Sequence, residues 1–155
     1  MTNSLSAGTV VKALDFVPAV QAFVNTEVLN ISATSYTKGT PEVAVRFMAP
    51  SSGRVAVSMS GGTRNNSANA DRIFVTFQIL EGDPATGALI QSDDVKRGLS
   101  NPATQTDNYQ YHGHVTMVDG LTPGTWYYAQ VRHRTTLGSG TSDIAHRCIL
   151  VFPIP

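Results

Sequence analysis

The chain is short of cysteine, of charge and of long apolar runs. Cys148 is its only cysteine, so no disulfide can form within the chain. Charged residues make up 14% of the 155 residues, and 11 Lys and Arg balance 11 Asp and Glu. Zero net charge gives no long-range attraction toward nucleic acid or an anionic membrane, so we expect neither partner. The sequence opens without the charged and apolar segments of a signal peptide, and no apolar run suits membrane insertion.

The low charge also bears on assembly. It predicts poor colloidal solubility for a single free chain. A chain that buries much of its surface against copies of itself would avoid this problem. We therefore expect self-association, with assembly in the cytoplasm where the chain is made.

The sequence carries no catalytic signature. Gly61-Gly62 is not followed by Lys and Ser or Thr, so it is not a phosphate-binding loop, and neither a GxSxG turn nor a DxDxDG calcium loop occurs. A glycoside hydrolase needs two carboxylates that face each other in a cleft. Here the acidic residues are scattered through turns, such as Asp93-Asp94. We expect no enzymatic activity and no cofactor.

Three histidines deserve a separate test as metal ligands. His112 and His114 share one face of a predicted strand, and His133 lies on the next strand. Imidazoles gathered in this way could bind zinc or nickel, and a trimer axis could supply three of them. No cysteine or nearby carboxylate completes a set of ligands within one chain. We therefore predict no metal site.

Residues 118–134, VDGLTPGTWYYAQVRHR, predict a turn that leads into a long, half-buried strand. Gly120, Pro123 and Gly124 are turn residues, and the segment after them is rich in β-branched and aromatic side chains. Alternate residues of a strand lie on opposite faces, so we expect the more apolar face to point into the core. That face holds Tyr127, Ala129, Val131 and His133.

The pattern Leu121-x-Pro123-x-Thr125-x-Tyr127 resembles the segment of fibronectin type III domains that carries the tyrosine corner. There a Tyr hydroxyl hydrogen-bonds to backbone just before the strand begins. The resemblance covers a short part of the chain. It implies a β-sandwich and keeps a binding module of that kind as one alternative.

Further segments favour strands because their residues alternate in polarity or are β-branched, and turn residues separate them. Two polar stretches, Gly61–Asp71 and Asn101–Asp107, predict outward loops. Many short strands between turns are typical of a sandwich or jelly roll. We predict an all-β, antiparallel, jelly-roll-like β-sandwich domain over residues 28–155. Its other strands are Val28–Tyr36, Glu42–Ala49, Arg54–Ser60, Arg72–Glu81, Ala88–Gln91, Val95–Leu99, Asn108–Asp119 and Ile144–Phe152.

Residues 1–27 form a separate N-terminal region in this prediction. Residues 1–9 are small and polar and predict an extended arm that becomes ordered on a partner. Val10–Asn25 has an apolar band at helical spacing, so we predict a short helix there. A helix of this length is marginal alone, so its band must rest on the sandwich or on other subunits. The interface candidates in the band are Phe16, Val20 and Phe23.

Four aromatic residues are candidates for binding, because we expect them on neighbouring strands. Such rings occur on sugar-binding surfaces, in subunit interfaces and in cores. Arg132 belongs to a small basic cluster, and we expect it to pair with carboxylates across an interface rather than with nucleic acid. The four aromatic residues are Tyr109, Tyr111, Trp126 and Tyr128.

The order of these segments resembles the small β-rich domains in virion proteins of tailed phages that infect actinobacteria. The matching pieces are VAVRFMAPSSGRVAVSMSGG at residues 43–62, the later GLTPGT segment with its Tyr-rich strand, and the final ILVFPIP. Such domains occur in minor tail proteins or at fibre tips, and resemble jelly-roll trimers used for attachment or capping. The resemblance implies a homotrimeric structural virion protein, docked to other virion proteins through its N-terminal arm and helix.

The sequence leaves several functions open. The first is a tail-tip, fibre or host-attachment component of the virion, with a host cell-surface glycan as a further partner. The second is a capsid decoration protein that stabilises the head. The third is a carbohydrate-binding or fibronectin type III-like module of a secreted protein.

Overall fold

Apolar residues that alternate along the strands build two antiparallel five-stranded sheets, which pack face to face around one core. The computed structural model describes residues 13–101 and 108–154. The prediction of an all-β antiparallel sandwich is confirmed. Within the described ranges, no helix is long and apolar enough to span a bilayer.

The two sheets draw strands from both halves of the chain. Sheet 1 contains β1 (Val20–Val24), β2 (Val28–Ile31), β4 (Val55–Asn65), β8 (Gln110–Val118) and β10 (Ser142–Pro153). Its order is β1-β10-β4-β8, and β2 also pairs with β10. Sheet 2 contains β3 (Ala44–Met48), β5 (Ile73–Glu81), β6 (Ala88–Gln91), β7 (Leu99–Ser100) and β9 (Trp126–Thr135). Its order is β3-β9-β5-β6, with β7 paired to β5.

The core follows the predicted alternation of the longer strands. On β5 every second residue from Ile73 to Ile79 is at most 4% exposed. On β9 the face that begins with Tyr127 is buried as far as His133, which is 3% exposed. Inward residues of sheet 1, such as Val57 and Ile149, complete the core from the other side.

Tyr127 forms the corner that the fibronectin type III pattern implied. Its hydroxyl oxygen accepts a hydrogen bond of 3.1 Å from the backbone N–H of Thr122. The ring of Tyr127 stacks on Phe47, with 5.7 Å between ring centroids. The turn before the strand needs Gly124 at a φ of 78°, a conformation that glycine adopts at least cost.

The helix predicted for Val10–Asn25 is wrong in the described part of the chain. One 3-10 turn occupies Ala13–Phe16, and the strand β1 follows it. Pro18 cannot lie inside a helix, and the β-branched valines of this segment fit a strand better. The backbone of β1 finds its partners in β10, from Val20 opposite Val151 to Val24 opposite Arg147. Residues 10–12 and the predicted arm, residues 1–9, lie outside the described residues.

The loop predicted for Gly61–Asp71 is wrong in its first half, because β4 continues to Asn65 and pairs with both β8 and β10. Gly62 permits a close approach there, since a Cβ atom would lie 2.9 Å from the ring of Tyr111. The remaining turn is fixed by Asp71. Its fully buried carboxylate accepts hydrogen bonds from the backbone N–H groups of Thr136, Leu137 and Ser139.

Two further predictions on the edge of sheet 2 need correction. Val95–Leu99 is not a strand: Val95–Arg97 is a 3-10 turn capped by the Asp94 side chain, and only Leu99–Ser100 pairs with β5. Asn101, predicted to begin an outward loop, is buried, and its side chain accepts a 2.8 Å hydrogen bond from the N–H of Ile73. Residues 102–107 of that loop lie outside the described residues.

Candidate interaction surface

The three histidines do not come together. His112 and His114 lie on β8 in sheet 1, whereas His133 lies on β9 in sheet 2 and faces the core. Burial, and then the positive charges of Arg147 and Arg132, lower the pKa of His133 to about 4. In the described part of the chain, no group of three or more His, Cys, Asp or Glu side chains is placed to hold a metal ion.

The four aromatic candidates also separate, which corrects the expectation that they share neighbouring strands. Tyr109 immediately precedes β8 and Tyr111 is its second residue, and β8 pairs with β4 in sheet 1. Trp126 and Tyr128 lie on the outer face of sheet 2, because β9 pairs with β3 and β5. The chain crosses from sheet 1 to sheet 2 between β8 and β9. The two tyrosines near β8 and the two aromatic residues of β9 therefore lie on opposite sides of the sandwich.

The middle of the outer face of sheet 1 is largely apolar across four strands, and the ion pair between Arg64 and Asp143 lies at one end of it. Cys148 lies between Phe23 and Ser60, and Leu150 joins Ser58, which in turn pairs with Val115. Phe23, Val115 and Met117 are 53%, 57% and 45% exposed. We call this surface the apolar face and define it by Phe23, Ala56, Ser58, Val115, Met117, Cys148, Leu150 and Phe152.

The apolar face ends at β8, an open sheet edge. Among the described strands, β8 pairs only with β4. Its nine residues, QYHGHVTMV, include no Lys, Pro or acidic residue. Soluble proteins usually protect an edge strand with such residues, because unpaired backbone groups otherwise pair with another chain.

Two candidates border the apolar face at its end near the start of β8. The Tyr111 hydroxyl lies 2.9 Å from Nδ1 of His146, and the two rings stack with centroids 5.5 Å apart. The Arg64 guanidinium lies 4.4 Å from the centre of the Tyr109 ring. Burial raises the pKa of Tyr109 well above its usual value. Tyr109 is therefore held within the chain, whereas Tyr111 remains 58% exposed.

Phe16 and Val20 meet Trp126 around an apolar cavity of about 190 Å³. The segment before β1 supplies one wall, and the outer face of sheet 2 supplies the other. Phe16 is 71% exposed and Trp126 is 40% exposed, so both rings reach solvent at the rim. Phe23 takes no part and lies on the apolar face instead. The other lining residues are Ala13, Leu14, Val17, Pro18, Arg46, Phe47 and Met48.

Arg132 is engaged inside its own chain. It donates a 2.6 Å hydrogen bond to the backbone oxygen of Tyr36, and its Nε lies 3.8 Å from a carboxylate oxygen of Asp93. The basic cluster around it is divided, because His133 points into the core.

Several residues of these surfaces were not among the sequence candidates. Val115 and Met117 could have been found from the sequence, because they are apolar residues at alternate positions of a predicted strand. Arg46 and Glu42 alternate with buried residues and therefore lie outward, but only the pairing of β3 with β9 brings Arg46 beside Trp126 and Tyr128.

The comparisons with known proteins identify no family. No protein-family model matches the chain, and no curated protein matches it. The chain resembles the CBM22-1 xylan-binding domain of Paenibacillus barcinonensis Xyn10C, with 8% identity, 87% of each chain covered and a TM-score of 0.38. It resembles a protein in the structure of infectious bursal disease virus strain Gx, with 11% identity and a TM-score of 0.47. That match covers 88% of this chain and 31% of the viral chain.

A third similar structure is the carbohydrate-binding module CBM6cm-2 of Cellvibrio mixtus lichenase 5A in complex with cellotriose. The identity is 12%, the match covers 84% of this chain and 85% of the module, and the TM-score is 0.37. At TM-scores of this size the similarities do not assign a function.

Proposed function

We propose that the protein is a non-enzymatic structural module that assembles with copies of itself through the apolar face, as a homotrimeric tail-tip, fibre or host-attachment component of a tailed phage. The observation that carries the self-assembly is the apolar middle of this sheet face, bordered by β8, which pairs only with β4 among the described strands. Contiguous exposed apolar patches often mark interaction sites. The virion setting rests on the sequence resemblance of residues 43–62 and the segment after Val118.

A second copy of this chain is the occupant that fits the apolar face. The face spans four strands and about five residues along each, which gives a projected area of roughly 300 Å². A standard interface needs about 800 Å² on each partner. In a trimer the edge of β8 can add further contact area, because its unpaired backbone groups would meet a different surface of the neighbouring chain.

The strand order agrees with this proposal. Late strands lie between early ones in both sheets: β10 separates β1 from β4, and β9 separates β3 from β5. Such interleaving between two sheets is the arrangement of jelly rolls, a fold used by viral capsid proteins and lectins. A capsid decoration protein is the alternative location for the same assembly.

Analytical ultracentrifugation at micromolar concentration tests the assembly. We expect a trimer for the unmodified chain and a monomer for V115K and M117K, because each buries a charge in the interface. The matched control is L89K, since Leu89 is 55% exposed on β6 in sheet 2 and should leave the trimer intact. A stable monomer of the unmodified chain would contradict the proposal.

The location needs a separate measurement. Purified protein that binds whole host cells would support attachment, whereas protein that binds only particles lacking it would support capsid decoration. A soluble monomer that binds a polysaccharide would instead favour the carbohydrate-binding or fibronectin type III-like module.

A further inference from the structure

The outer face of sheet 2 has a chemistry quite unlike that of the apolar face. It combines aromatic rings, side-chain amides, guanidinium groups and a carboxylate on three paired strands. In β9 the outward residues Trp126, Tyr128 and Gln130 follow one another at every second position. This row extends over about 13 Å along the strand.

Polar side chains occupy the middle of this face. Nε2 of Gln78 donates a 2.7 Å hydrogen bond to Oε1 of Gln130, and Nε2 of Gln130 donates to Glu42. Glu42 also accepts a 2.8 Å hydrogen bond from Nζ of Lys38. Gln130 is almost completely buried, while Gln78 and Glu42 are half-buried. Gln130 therefore fixes the positions of two groups that still reach solvent.

Aromatic and cationic groups occupy the end of the face near β3. The guanidinium carbon of Arg46 lies 4.3 Å from the centre of the Trp126 ring, and Arg46 pairs in register with Tyr128. Trp126 is 40% exposed although it is held from one side. A tryptophan restrained in this way keeps a rigid apolar surface in contact with water.

Buried polar atoms close the opposite end of the face. They are the Tyr36 hydroxyl, Oδ1 of Asp93 and Nε of Arg132. These residues are adjacent, because Arg132 donates to the Tyr36 backbone and its Nε lies 3.8 Å from Asp93. Nε of Arg132 and Oδ1 of Asp93 therefore face each other as an ion pair, so the polar groups that a ligand can reach are those in the middle of the face.

We propose that this face binds a neutral carbohydrate chain, with a sugar ring against Trp126 and neighbouring hydroxyl groups on Glu42, Gln78 and Arg46. A pyranose ring has an apolar face of C–H groups, which fits a flat aromatic side chain, and a rim of hydroxyl groups that both donate and accept. A carboxylate, an amide and a guanidinium together offer both functions. The inference does not depend on assembly through the apolar face.

Single-stranded nucleic acid also combines aromatic stacking with cationic contacts, but this face suits it poorly. Glu42 and Asp93 would repel a phosphate backbone, and Arg132 already lies beside Asp93. The whole chain has no net positive charge to attract a polyanion. A neutral glycan meets none of these penalties.

The sole tryptophan of the chain gives a direct readout of binding. The unmodified protein is titrated with a soluble β-glucan, xylan, galactan and mannan while Trp126 emission is recorded. We expect a saturable change with at least one of them, and retarded migration in a native gel that contains the same polysaccharide. Single-stranded oligonucleotide serves as the competing probe and should cause neither effect.

Variants then locate the binding surface in the native gel. W126A and E42Q should each weaken binding about tenfold or more, as expected for groups at the centre of an interface. D119N, which changes an exposed side chain next to β8 in sheet 1, should leave the affinity unchanged. Equal unfolding midpoints for E42Q and the unmodified chain exclude a folding defect. The proposal is wrong if no polysaccharide binds, if only the oligonucleotide binds, or if W126A and E42Q both retain full affinity.

Discussion

The backbone N–H of Thr122 donates a hydrogen bond to the hydroxyl of Tyr127, which lies five residues later at the start of β9. The Tyr127 side chain is 1% exposed and its ring stacks on Phe47. One residue thus connects the turn after β8 to the core. This contact fixes where the chain leaves sheet 1 and enters sheet 2.

The variant Y127F keeps the ring and removes the hydrogen-bond acceptor. We expect the free energy of unfolding to fall by about 1 kcal/mol, because the Thr122 N–H loses its partner within the chain. Urea denaturation measures the change, provided that the slope with urea stays constant. Y128F is the control and should change stability less, since Tyr128 is half-buried on the outer face. Equal stability of Y127F and the unmodified chain would show that the corner contributes nothing.

The sequence predicted best the strands that carry a mostly apolar residue at every second position. In β5 and β9 this row of residues is buried, as expected, although Thr76, Leu80 and Gln130 on the opposite faces are buried as well. The corner at Tyr127 was predictable as well, because a local pattern of Pro, Gly and Tyr specifies it. In each case the determining interactions are close in sequence or repeat with the strand period.

The remaining elements depend on partners that are distant in sequence. The apolar band around Val20 fits both a helical spacing and a strand, and the choice is made by pairing with β10 about 130 residues later. Gly61 and Gly62 look like part of a loop until β8 and β10 enclose them. Tyr111 and Trp126 lie on opposite sheets, and this follows only from the order of all the strands. The sequence therefore identified these candidate residues but not which of them lie together.

His133 predicts a pH dependence of stability. Its lowered pKa of about 4 keeps it neutral in the folded protein, whereas an unfolded histidine binds a proton below about pH 6.5. The unfolded state therefore binds more protons between these values, and stability falls as the pH decreases. We expect full stability above about pH 6.5 and a loss on the order of 3 kcal/mol by pH 4.

Urea denaturation at several pH values between 7 and 4 measures this effect. H133Q removes the titrating group and keeps a polar side chain of similar length. The stability of H133Q at pH 7 is expected to be lower, but it should change little between pH 7 and pH 4. H112Q is the control, because His112 is exposed on β8 and should leave the pH dependence of the unmodified chain in place. An equally steep decline in H133Q would assign the effect to other groups.

Asp71 should affect stability in a lower range of pH than His133 does. Burial favours a raised pKa, but hydrogen bonds from Ser139, Leu137 and Thr136 outweigh it, so the pKa of Asp71 lies below its usual 3.8. The carboxylate therefore contributes stability above about pH 3.8, and this contribution is lost as the pH falls through the lowered pKa.

At neutral pH the variant D71N should be less stable by about 2 kcal/mol, because an amide accepts these hydrogen bonds less strongly than a carboxylate. Thermal or urea unfolding measures the loss. D119N is the matched control, since the Asp119 side chain is 63% exposed and pairs only at the surface with Arg54. A loss in D119N as large as that in D71N would argue against a special role for the buried carboxylate.

Gly39 makes a packing prediction, because it lies against the guanidinium of Arg147. A Cβ atom added at Gly39 would be 2.0 Å from Nη1 of Arg147 and 3.2 Å from Cγ2 of Val28. Arg147 is 1% exposed and has little room to move aside. We expect G39A to lower the free energy of unfolding by about 1–3 kcal/mol, the usual cost of overpacking.

A matched glycine and a double variant separate this clash from a general effect of alanine. At Gly113 a Cβ atom would meet only the Met59 backbone oxygen, at 3.7 Å, so G113A should be neutral or slightly stabilising. R147A will itself be destabilising, because it leaves a cavity in the core. In the R147A background, however, G39A should lower the free energy of unfolding much less, because Nη1 of Arg147, which the added Cβ would displace, is absent. An undiminished cost of G39A in the double variant would place the strain at Val28 or in the backbone rather than at the guanidinium.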